Sequence, residues 1–520
     1  MTPNMLKSLM KPAAYPVTTS TVELVQTHVS WIFLTDTHAF KLKKPVNFGF
    51  LDFSTVDRRR FYCDEELRLN RRLCPDIYEA VVELRESSAG IAFHGSGQII
   101  DYAVMMKRLP ADHMLDRMVE SGEVTTADIR SVAAVISKFH AEALGTPYIS
   151  GFGSLEKILF NWRENFEQLM PFNTSTLPDV EREAIQSWVM NFAETNRDLL
   201  DRRVEQGFIR ECDGDLHLEN ICLVDDRVYI FDCIEFNERF RFCDTAADIA
   251  FLLMDLDFHN RSDLADVVIT SYSTASGDLE LAKLIDFYKI YRAVVRGKVE
   301  SFRLNDKGIP PDSHDMALKR AIRYFSLARG YIERLRLRPT LFITCGTMGC
   351  GKSTLAEQLA FELGIKVYNS DFIRKSIAGL PPETAVREKY GQGLYADSSS
   401  EKTYRELEQL AECELAAGNS VIIDASFNNA QKRARFAELA ALKHVGIVIL
   451  MVSCDESEQK KRLKVRAARD HSVSDGRIDL LELQKAGFDY PTEMEGRIIA
   501  VNSMQMPEHL TRLIYKELYQ

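Results

Sequence analysis

The chain has 520 residues, 46% hydrophobic and 27% charged, with a net charge of −11. That length exceeds one ordinary core and gives a prior of roughly three domains, with two also compatible. The acidic balance, with a pI of about 5.6, argues against non-specific binding of nucleic acid or anionic membrane by the whole surface, while leaving room for a local basic groove.

The ten cysteines are scattered without a C-x-x-C pair, and several lie inside apolar runs. They read as reduced, buried thiols of a cytoplasmic protein. The stretch from Met1 to Pro12 lacks the apolar centre of a signal peptide. No apolar run approaches the ~18–20 residues of a membrane span, so no membrane partner is expected.

Strand signals begin at Val22. Val29–Thr35 and Ala39–Lys43 are β-rich runs separated by Asp36-Thr37-His38, which predicts a hairpin. In the second run Lys41 and Lys43 share one face, and Phe40 and Leu42 the other. A lysine after Ala-Phe on such a strand is where a protein-kinase-type fold keeps its phosphate-binding lysine. The charged run from Asp57 to Leu73 predicts a helix closed by Pro75, with Glu66 bordering its apolar stripe and able to turn towards Lys41. Tyr78–Leu84 and Tyr102–Pro110 read as strands, the second ending in a Pro-bounded turn suited to gripping an adenine ring. Residues 125 to about 205 carry helical periodicity.

The next signal is Asp213-Gly-Asp-Leu-His-Leu-Glu-Asn220, followed by Ile221–Val224, a turn at Asp225-Asp226-Arg227, Val228–Phe231 and Asp232. Asp215 and Asn220 have the D-x-x-x-x-N spacing of a kinase catalytic loop. The hairpin folds Asp232 back towards Asn220. Phosphoryl transfer needs a carboxylate to orient an attacking hydroxyl and oxygen ligands for Mg²⁺; Asp215 suits the first task, Asn220 and Asp232 the second.

These residues resemble the H-G-D-x-H-x-x-N loop of aminoglycoside and choline phosphotransferases, which have the bilobed protein-kinase-like fold. With His28–Leu34, Phe40–Ser54, Glu65–Leu73 and Phe231–Asn237, nearly the whole chain resembles the bacterial bifunctional aminoglycoside phosphotransferase/ATP-binding proteins, in which a phosphotransferase-like domain is fused to a P-loop kinase of AAA-type ATP-binding kind. Two departures stand out. Asp213 replaces the usual His, and Val22–Leu34 contains no glycine, so the glycine-rich phosphate lid is missing. Phosphates would then rest on Lys41, with Glu66 as its partner, and on donors near Thr27 and Ser30.

Cys243–Leu253 reads as a buried helix whose Asp248 either braces the catalytic loop, as the resemblance implies, or serves as an acid at the helix N-terminus. Helices continue to about Arg338, and Pro339 marks the boundary. Then comes Gly346-Thr347-Met348-Gly349-Cys350-Gly351-Lys352-Ser353, a complete G-x-x-x-x-G-K-S motif between the apolar run Leu341–Cys345 and a helix from Thr354 to Leu363. The glycines let backbone N–H groups converge on phosphate oxygens, Lys352 reaches the β/γ-phosphates, and Ser353 ligates Mg²⁺. Strand and helix alternate afterwards: Ile365–Tyr368, Thr403–Ala417, Ser420–Asp424, Arg433–Leu442 and Val445–Val452. This predicts an α/β parallel sheet with ligands at the C-terminal strand ends, where Asp371 and Asp424 fall.

Ser370-Asp371-Phe-Ile-Arg374 resembles the acceptor-side motif of small P-loop kinases. The likeness implies that Asp371 receives the acceptor proton and Arg374 holds the acceptor or its phosphate, with Asp424 on Mg²⁺ or the acceptor. Arg462, Arg466 and Arg469 share a helix face, as lid arginines do. The expectation is an α+β protein-kinase-like domain over 1–338 and an α/β P-loop NTPase domain over 339–520. The resemblance implies transfer of the γ-phosphate of ATP, with Mg²⁺, to a hydroxyl of a small molecule or a nucleic-acid 5′ end. A polynucleotide 5′-hydroxyl kinase and a regulatory ATPase with a pseudokinase N-terminal domain are the alternatives. The sequence leaves the acceptor and the oligomeric state open.

Overall fold

The alternating runs near the N-terminus form a six-stranded antiparallel sheet in a computed structural model that describes residues 2–88, 90–306, 310–381, 384, 393–467 and 478–519. Its strands are β1 (Glu23–Gln26), β2 (Ser30–Leu34), β3 (His38–Lys43), β4 (Tyr78–Ser87), β5 (Gly90–Ala92) and β6 (Gln98–Lys107), in the order β1-β2-β3-β6-β4-β5. One face buries Phe33, Phe40, Leu42 and Leu84 against Leu9, Tyr15 and Phe93. The other face carries Lys41 and Lys43, as the period of two requires. The helix Val56–Asn70 packs on β4 and β6, and the Thr55 hydroxyl caps its N-terminus.

After Pro110 the unit is mostly helical. β7 (Ile209–Glu211), β8 (Ile221–Val224), β9 (Arg227–Ile230) and β10 (Phe242–Asp244) make two ribbons, β7 with β10 and β8 with β9. Val224 pairs with Arg227, so Asp225 and Asp226 form a two-residue turn with φ of 50° and 61°. Both central residues are left-handed, as the twist of a tight hairpin demands, and Asp tolerates that conformation. The helix Thr245–Phe258 is buried at every position. A strand lobe crossed by one helix, followed by a helical lobe, is the protein-kinase-like bilobed arrangement.

The C-terminal sheet is parallel throughout. β11 (Thr340–Cys345), β12 (Lys366–Asn369), β13 (Val421–Asp424), β14 (Gly446–Ser453) and β15 (Arg497–Asn502) lie in the order β12-β13-β11-β14-β15. β11 is central and buried along its length. Leu341 and Ile343 face the helices Asp397–Ala416 and Ala430–Leu442, while Phe342 faces Lys352–Leu363 and Pro507–Leu518. Both faces are covered, which explains the continuous apolar strands. β15 and the helix after it had no counterpart in the sequence reading.

The two compact units are Met1–Pro171 with Arg182–Val295, and Phe172–Glu181 with Arg296–Gln520. This division falls earlier than the boundary read after residue 338. Pro339 marks where a helix stops, whereas packing decides which unit owns it. Buried Arg329, on the helix Pro311–Arg336, donates to Glu181 Oε1 (2.6 Å), Glu362 Oε2 (2.7 Å) and Thr511 Oγ1 (3.0 Å). One turn cannot hold a buried guanidinium without such partners, so the helix is anchored to the P-loop unit.

On the same helix a Cβ built at Gly330 would lie 2.0 Å from the carbonyl oxygen of Glu362. Gly330→Ala would gain up to about 1 kcal/mol of helix propensity. Forcing two backbones apart costs roughly 1–3 kcal/mol, so the clash is expected to win. Calorimetry should show a lower Tm for the P-loop unit; an unchanged or higher Tm contradicts this close helix approach.

Candidate active sites

In the N-terminal unit, β3 presents two buried lysines to one helix. Lys41 Nζ lies 2.9 Å from Glu66 Oε1 and also pairs with Asp232. Lys43 Nζ lies 2.6 Å from Glu66 Oε2 and also pairs with Glu235. The result is an alternating ladder, Asp232–Lys41–Glu66–Lys43–Glu235. Burial alone would lower the lysine pKa values, but Asp232, Glu66 and Glu235 lift Lys41 well above normal. Burial would likewise raise Glu66, and the two lysines overcome this and hold it below its ordinary value. Glu235 is the weaker-held acid. Burial raises its pKa despite Lys43, which Glu66 also claims.

The catalytic-loop residues converge. Asn220 Nδ2 donates to Asp215 Oδ2 (3.2 Å) and to the Asp215 carbonyl (3.1 Å). Phe231 N–H donates to the Asn220 carbonyl (3.0 Å), which brings Asp232 beside that loop. Asp232 has φ of 64°, an unfavourable value for a residue with a Cβ. Its N–H donates to Tyr78 Oη (3.3 Å), and the N–H of Cys233 donates to Asn70 Oδ1 (2.9 Å). The strained turn is thus moored to β4 and to the helix carrying Glu66.

Asp248 reaches the loop from below. It accepts the N–H groups of Asp213 (3.1 Å) and Gly214 (2.8 Å), with His140 Nε2 at 3.1 Å. Asp255 accepts the N–H of Leu218 (3.0 Å), and Arg292 donates to the Gly214 carbonyl (2.9 Å). His140, Cys212 and Asp248 each offer a donor atom within 4.8 Å of one another. The loop amides and His140 already engage Asp248, so this group acts as a brace.

Asp213, the residue standing in place of the expected His, is 1% exposed. Its Oδ1 accepts the N–H of Asp215 (3.1 Å), and its buried Oδ2 has no hydrogen-bond partner among the described residues. Burial, then the charges of Asp248 and Asp215, push its pKa well above the carboxylate range. Asp248 is held ionised because His140 and Arg292 outweigh its own burial. Of the two buried carboxyls, Asp213 is therefore the one whose protonated form is favoured.

The backbone amides of Val29 and Ser30, at the turn where phosphate donors were expected, are already committed. Thr27 Oγ1 accepts the N–H groups of Val29 (3.3 Å) and Ser30 (3.0 Å), and Lys44 caps the Thr27 carbonyl (2.5 Å). Ser30 is itself 1% exposed. A turn without glycine keeps these amides for itself, while the buried Ser30 hydroxyl has no hydrogen-bond partner among the described residues.

In the second unit the motif glycines have φ of 149° (Gly346), 76° (Gly349) and 95° (Gly351). A Cβ on Gly346 would meet the Val452 carbonyl at 2.4 Å. The loop can therefore be built only from glycine at these points. Gly351 begins the helix Lys352–Leu363, and no side chain caps that N-terminus. Its amides and dipole suit a phosphate. Lys352 Nζ donates to the Thr347 carbonyl (2.9 Å). A cleft of about 480 Å³ lies against Gly349, Gly351 and Thr354, with Arg462, Arg466 and Ser503 opposite. Its size suits a base and ribose.

Asn369 ties together the acids at the neighbouring strand ends. Its Oδ1 accepts the N–H of Asp371 (2.9 Å) and its Nδ2 donates to Asp424 Oδ2 (2.6 Å). Thr344 Oγ1 donates to Asp424 Oδ1 (2.9 Å). Arg374, 7% exposed, donates to Asp371 Oδ1 (2.5 Å). Positive-φ glycines, an uncapped helix and a fixed oxygen acid fit a Mg²⁺-bound triphosphate, with Ser353 and Asp424 as hard ligands. In the N-terminal unit, three carboxylates against two lysines also leave negative charge for a cation.

Arg462 donates to Ser503 Oγ (2.8 Å) and to the Ser503 carbonyl (2.9 Å), so it closes the cleft wall. Arg469 and the loop starting at Asp470 lie outside the described residues. The sequence reading gave no role to Lys43, Glu235, Asn369 or Ser503. Lys43 was detectable from its shared face with Lys41, and Glu235 as an acid in an apolar segment. Ser503 follows the unread strand β15.

Fold and site together define a P-loop domain accompanying a protein-kinase-like domain. Residues 341–491 match the family model of an AAA domain. The chain is 31% identical over 477 residues to the uncharacterized protein Rv2004c of Mycobacterium tuberculosis, covering 92% of this chain and 93% of that protein. It belongs to the family of that mycobacterial protein. Among solved structures, a choline/ethanolamine kinase family protein from Mesorhizobium loti aligns at 12% identity over 62% of this chain and 98% of its own, with a TM-score of 0.38. A sugar kinase from Janibacter sp. HTCC2649 aligns at 20% identity over 35% and 95%, with a TM-score of 0.27.

Two predictions follow from the buried charges. Lys43→Met strands Glu235, leaves Glu66 to Lys41 alone, and is expected to destabilise the N-terminal unit by ~3–5 kcal/mol, the cost of breaking a buried pair. Urea denaturation reads this directly, and a loss below about 1 kcal/mol contradicts the ladder. The raised pKa of Asp213 means that the native state keeps a proton the unfolded chain releases. Stability therefore falls as pH rises from the ordinary carboxylate value through the raised one. Asp213→Asn should raise Tm near neutral pH and leave it unchanged near about pH 4. An equal effect at both pH values shows that ionisation is not the cause.

Proposed function

We propose that the chain is an ATP-dependent phosphotransferase whose P-loop unit moves the γ-phosphoryl group to a hydroxyl acceptor. The observation carrying this reading is the uncapped helix behind three positive-φ glycines, beside two acids tied by one asparagine. The loop amides bind and orient the β/γ-phosphates, with Lys352 at the same end. Asp371 accepts the acceptor proton as the hydroxyl oxygen bonds to γ-phosphorus and the bond to the ADP oxygen breaks. Arg374 fixes Asp371 and meets the acceptor. Mg²⁺, when bound, neutralises phosphate charge.

The N-terminal unit is the second nucleotide site in this reading, with Asp215 as the proton acceptor, Lys41 and Glu66 on the phosphates, and Asn220 and Asp232 as metal ligands. One observation favours a regulatory role for it instead: the turn at Thr27 spends its own amides. Titration of Mg²⁺-ATP into the Lys352→Ala chain separates the two cases, because absence of binding there excludes catalysis in that unit.

A panel of sugars, small alcohols and 5′-hydroxyl oligonucleotides, incubated with γ-labelled ATP, tests transfer. Lys352→Ala is expected to lose at least ~100-fold in rate, the scale of one transition-state contact. Asp371→Asn should lower kcat with little change in KM for ATP. Transfer unaffected by Lys352→Ala contradicts the reading. Transfer confined to oligonucleotides would make the chain a polynucleotide 5′-kinase.

A further inference from the structure

Two glutamines grip the P-loop at the end where Lys352 sits. Gln459, on the helix Glu456–Ala467, donates through Nε2 to Thr347 Oγ1 and to the Met348 carbonyl, both at 2.6 Å. Gln484, on the helix Ile478–Ala486, accepts the Met348 N–H on its Oε1 at 2.7 Å. Both side chains are buried, at 3% and 8% exposure.

The position of that amide gives the contact its meaning. Lys352 Nζ rests on the Thr347 carbonyl, so Thr347 and Met348 mark the end of the loop that the β/γ-reaching lysine serves. The cleft that suits base and ribose runs along Gly349, Gly351 and Thr354, and neither Met348 nor Gln484 lines it. The chain after Gln484 is held over the end of β13. Asp489 N–H donates to the Asn428 carbonyl (3.0 Å), and Arg433 donates to the Asp489 carbonyl (2.7 Å). That is the side carrying Asp424. Gln484 thus puts a neutral amide oxygen on a loop N–H at the γ-phosphate end of the site.

We infer that Gln484 is a γ-phosphate-discriminating residue: its side-chain oxygen stands where a γ-phosphate oxygen docks, so nucleoside triphosphate must displace it and nucleoside diphosphate need not. This rests on the P-loop reading above. A charged phosphate oxygen is a stronger acceptor than an amide oxygen, so the exchange is favourable yet subtracts from triphosphate affinity. Gln459 keeps the Met348 peptide aimed at the exchange point throughout.

The test uses the full-length chain with Mg²⁺, titrated with ADP and with the non-hydrolysable β,γ-imido analogue of ATP. The site is assigned as the binding lost in Lys352→Ala. Gln484→Leu removes the competing acceptor and is expected to tighten the analogue by about 3- to 10-fold, the span of one neutral hydrogen bond, with ADP unchanged. The near-isosteric Gln484→Glu guards against misfolding. It sets a carboxylate against the γ-phosphate and should weaken the analogue at least about 10-fold more than ADP. Equal shifts for both nucleotides, or none, overturn the assignment of Gln484 and leave the P-loop reading standing. Absence of any binding that Lys352→Ala removes from the otherwise unaltered chain overturns both.

Discussion

A lysine taken out of water must find a carboxylate, and the N-terminal unit is arranged around that requirement. β3 alternates, so placing Phe40 and Leu42 in one core sends Lys41 and Lys43 to the opposite face. Two ammonium groups on one face repel unless acids separate them. Glu66 supplies both of its oxygens, and Asp232 and Glu235 close the ends. The sheet, its crossing helix and the segment after the hairpin are thereby fixed by five side chains. No pair in the ladder is strongly stabilising by itself, because desolvation consumes most of the Coulomb gain. A one-residue slip of β3 would turn Lys41 and Lys43 into the apolar core and undo the ladder.

The second unit is built in a different way around its glycine loop, with backbone in place of side-chain charge. Three glycines carry φ values that other residues avoid, and the neighbouring Val452 carbonyl leaves no space for a Cβ at Gly346. Such a loop exposes amides, which then need partners. Met348 finds one in Gln484, and the Thr347 and Cys350 carbonyls find Lys352 and Ser503. The two units therefore differ in how their buried polar groups are satisfied. In the first, the Thr27 turn keeps its amides and the buried charge sits on Lys41 and Lys43; in the second, the Gly346, Met348 and Cys350 amides hold acceptors within the unit itself.

Much of this was legible in the sequence, for identifiable reasons. The motif from Gly346 to Ser353 has rigid spacing because its geometry tolerates no substitution at the glycines. The hairpin after Asn220 was readable because Asp225-Asp226 can adopt left-handed φ. The facing of Glu66 towards Lys41 was one of two options for an acid at the edge of an apolar stripe, and only the packing of the helix on β4 and β6 decides it. Side-chain caps and braces were less visible. Asn369, Gln459, Gln484 and Ser503 act through contacts between residues far apart in sequence, and no periodicity marks them. The unit division was hidden for the same reason, because Arg329 meets partners at Glu181 and Thr511 from distant parts of the chain.

The substitution at residue 213 shows how a loop keeps its shape when its expected residue changes. The loop needs a group that accepts the Asp215 N–H. An ionised aspartate there would sit beside buried Asp248, and two like charges in that space are costly. Asp248 cannot give up its charge easily, since it accepts two loop amides and faces His140 and Arg292. The protonated form is therefore favoured at Asp213, whose Oδ1 remains an acceptor for the Asp215 N–H. A neutral carboxylic acid in this position does the bracing work required of it, and the geometry of Asp215 and Asn220 stays intact beside it.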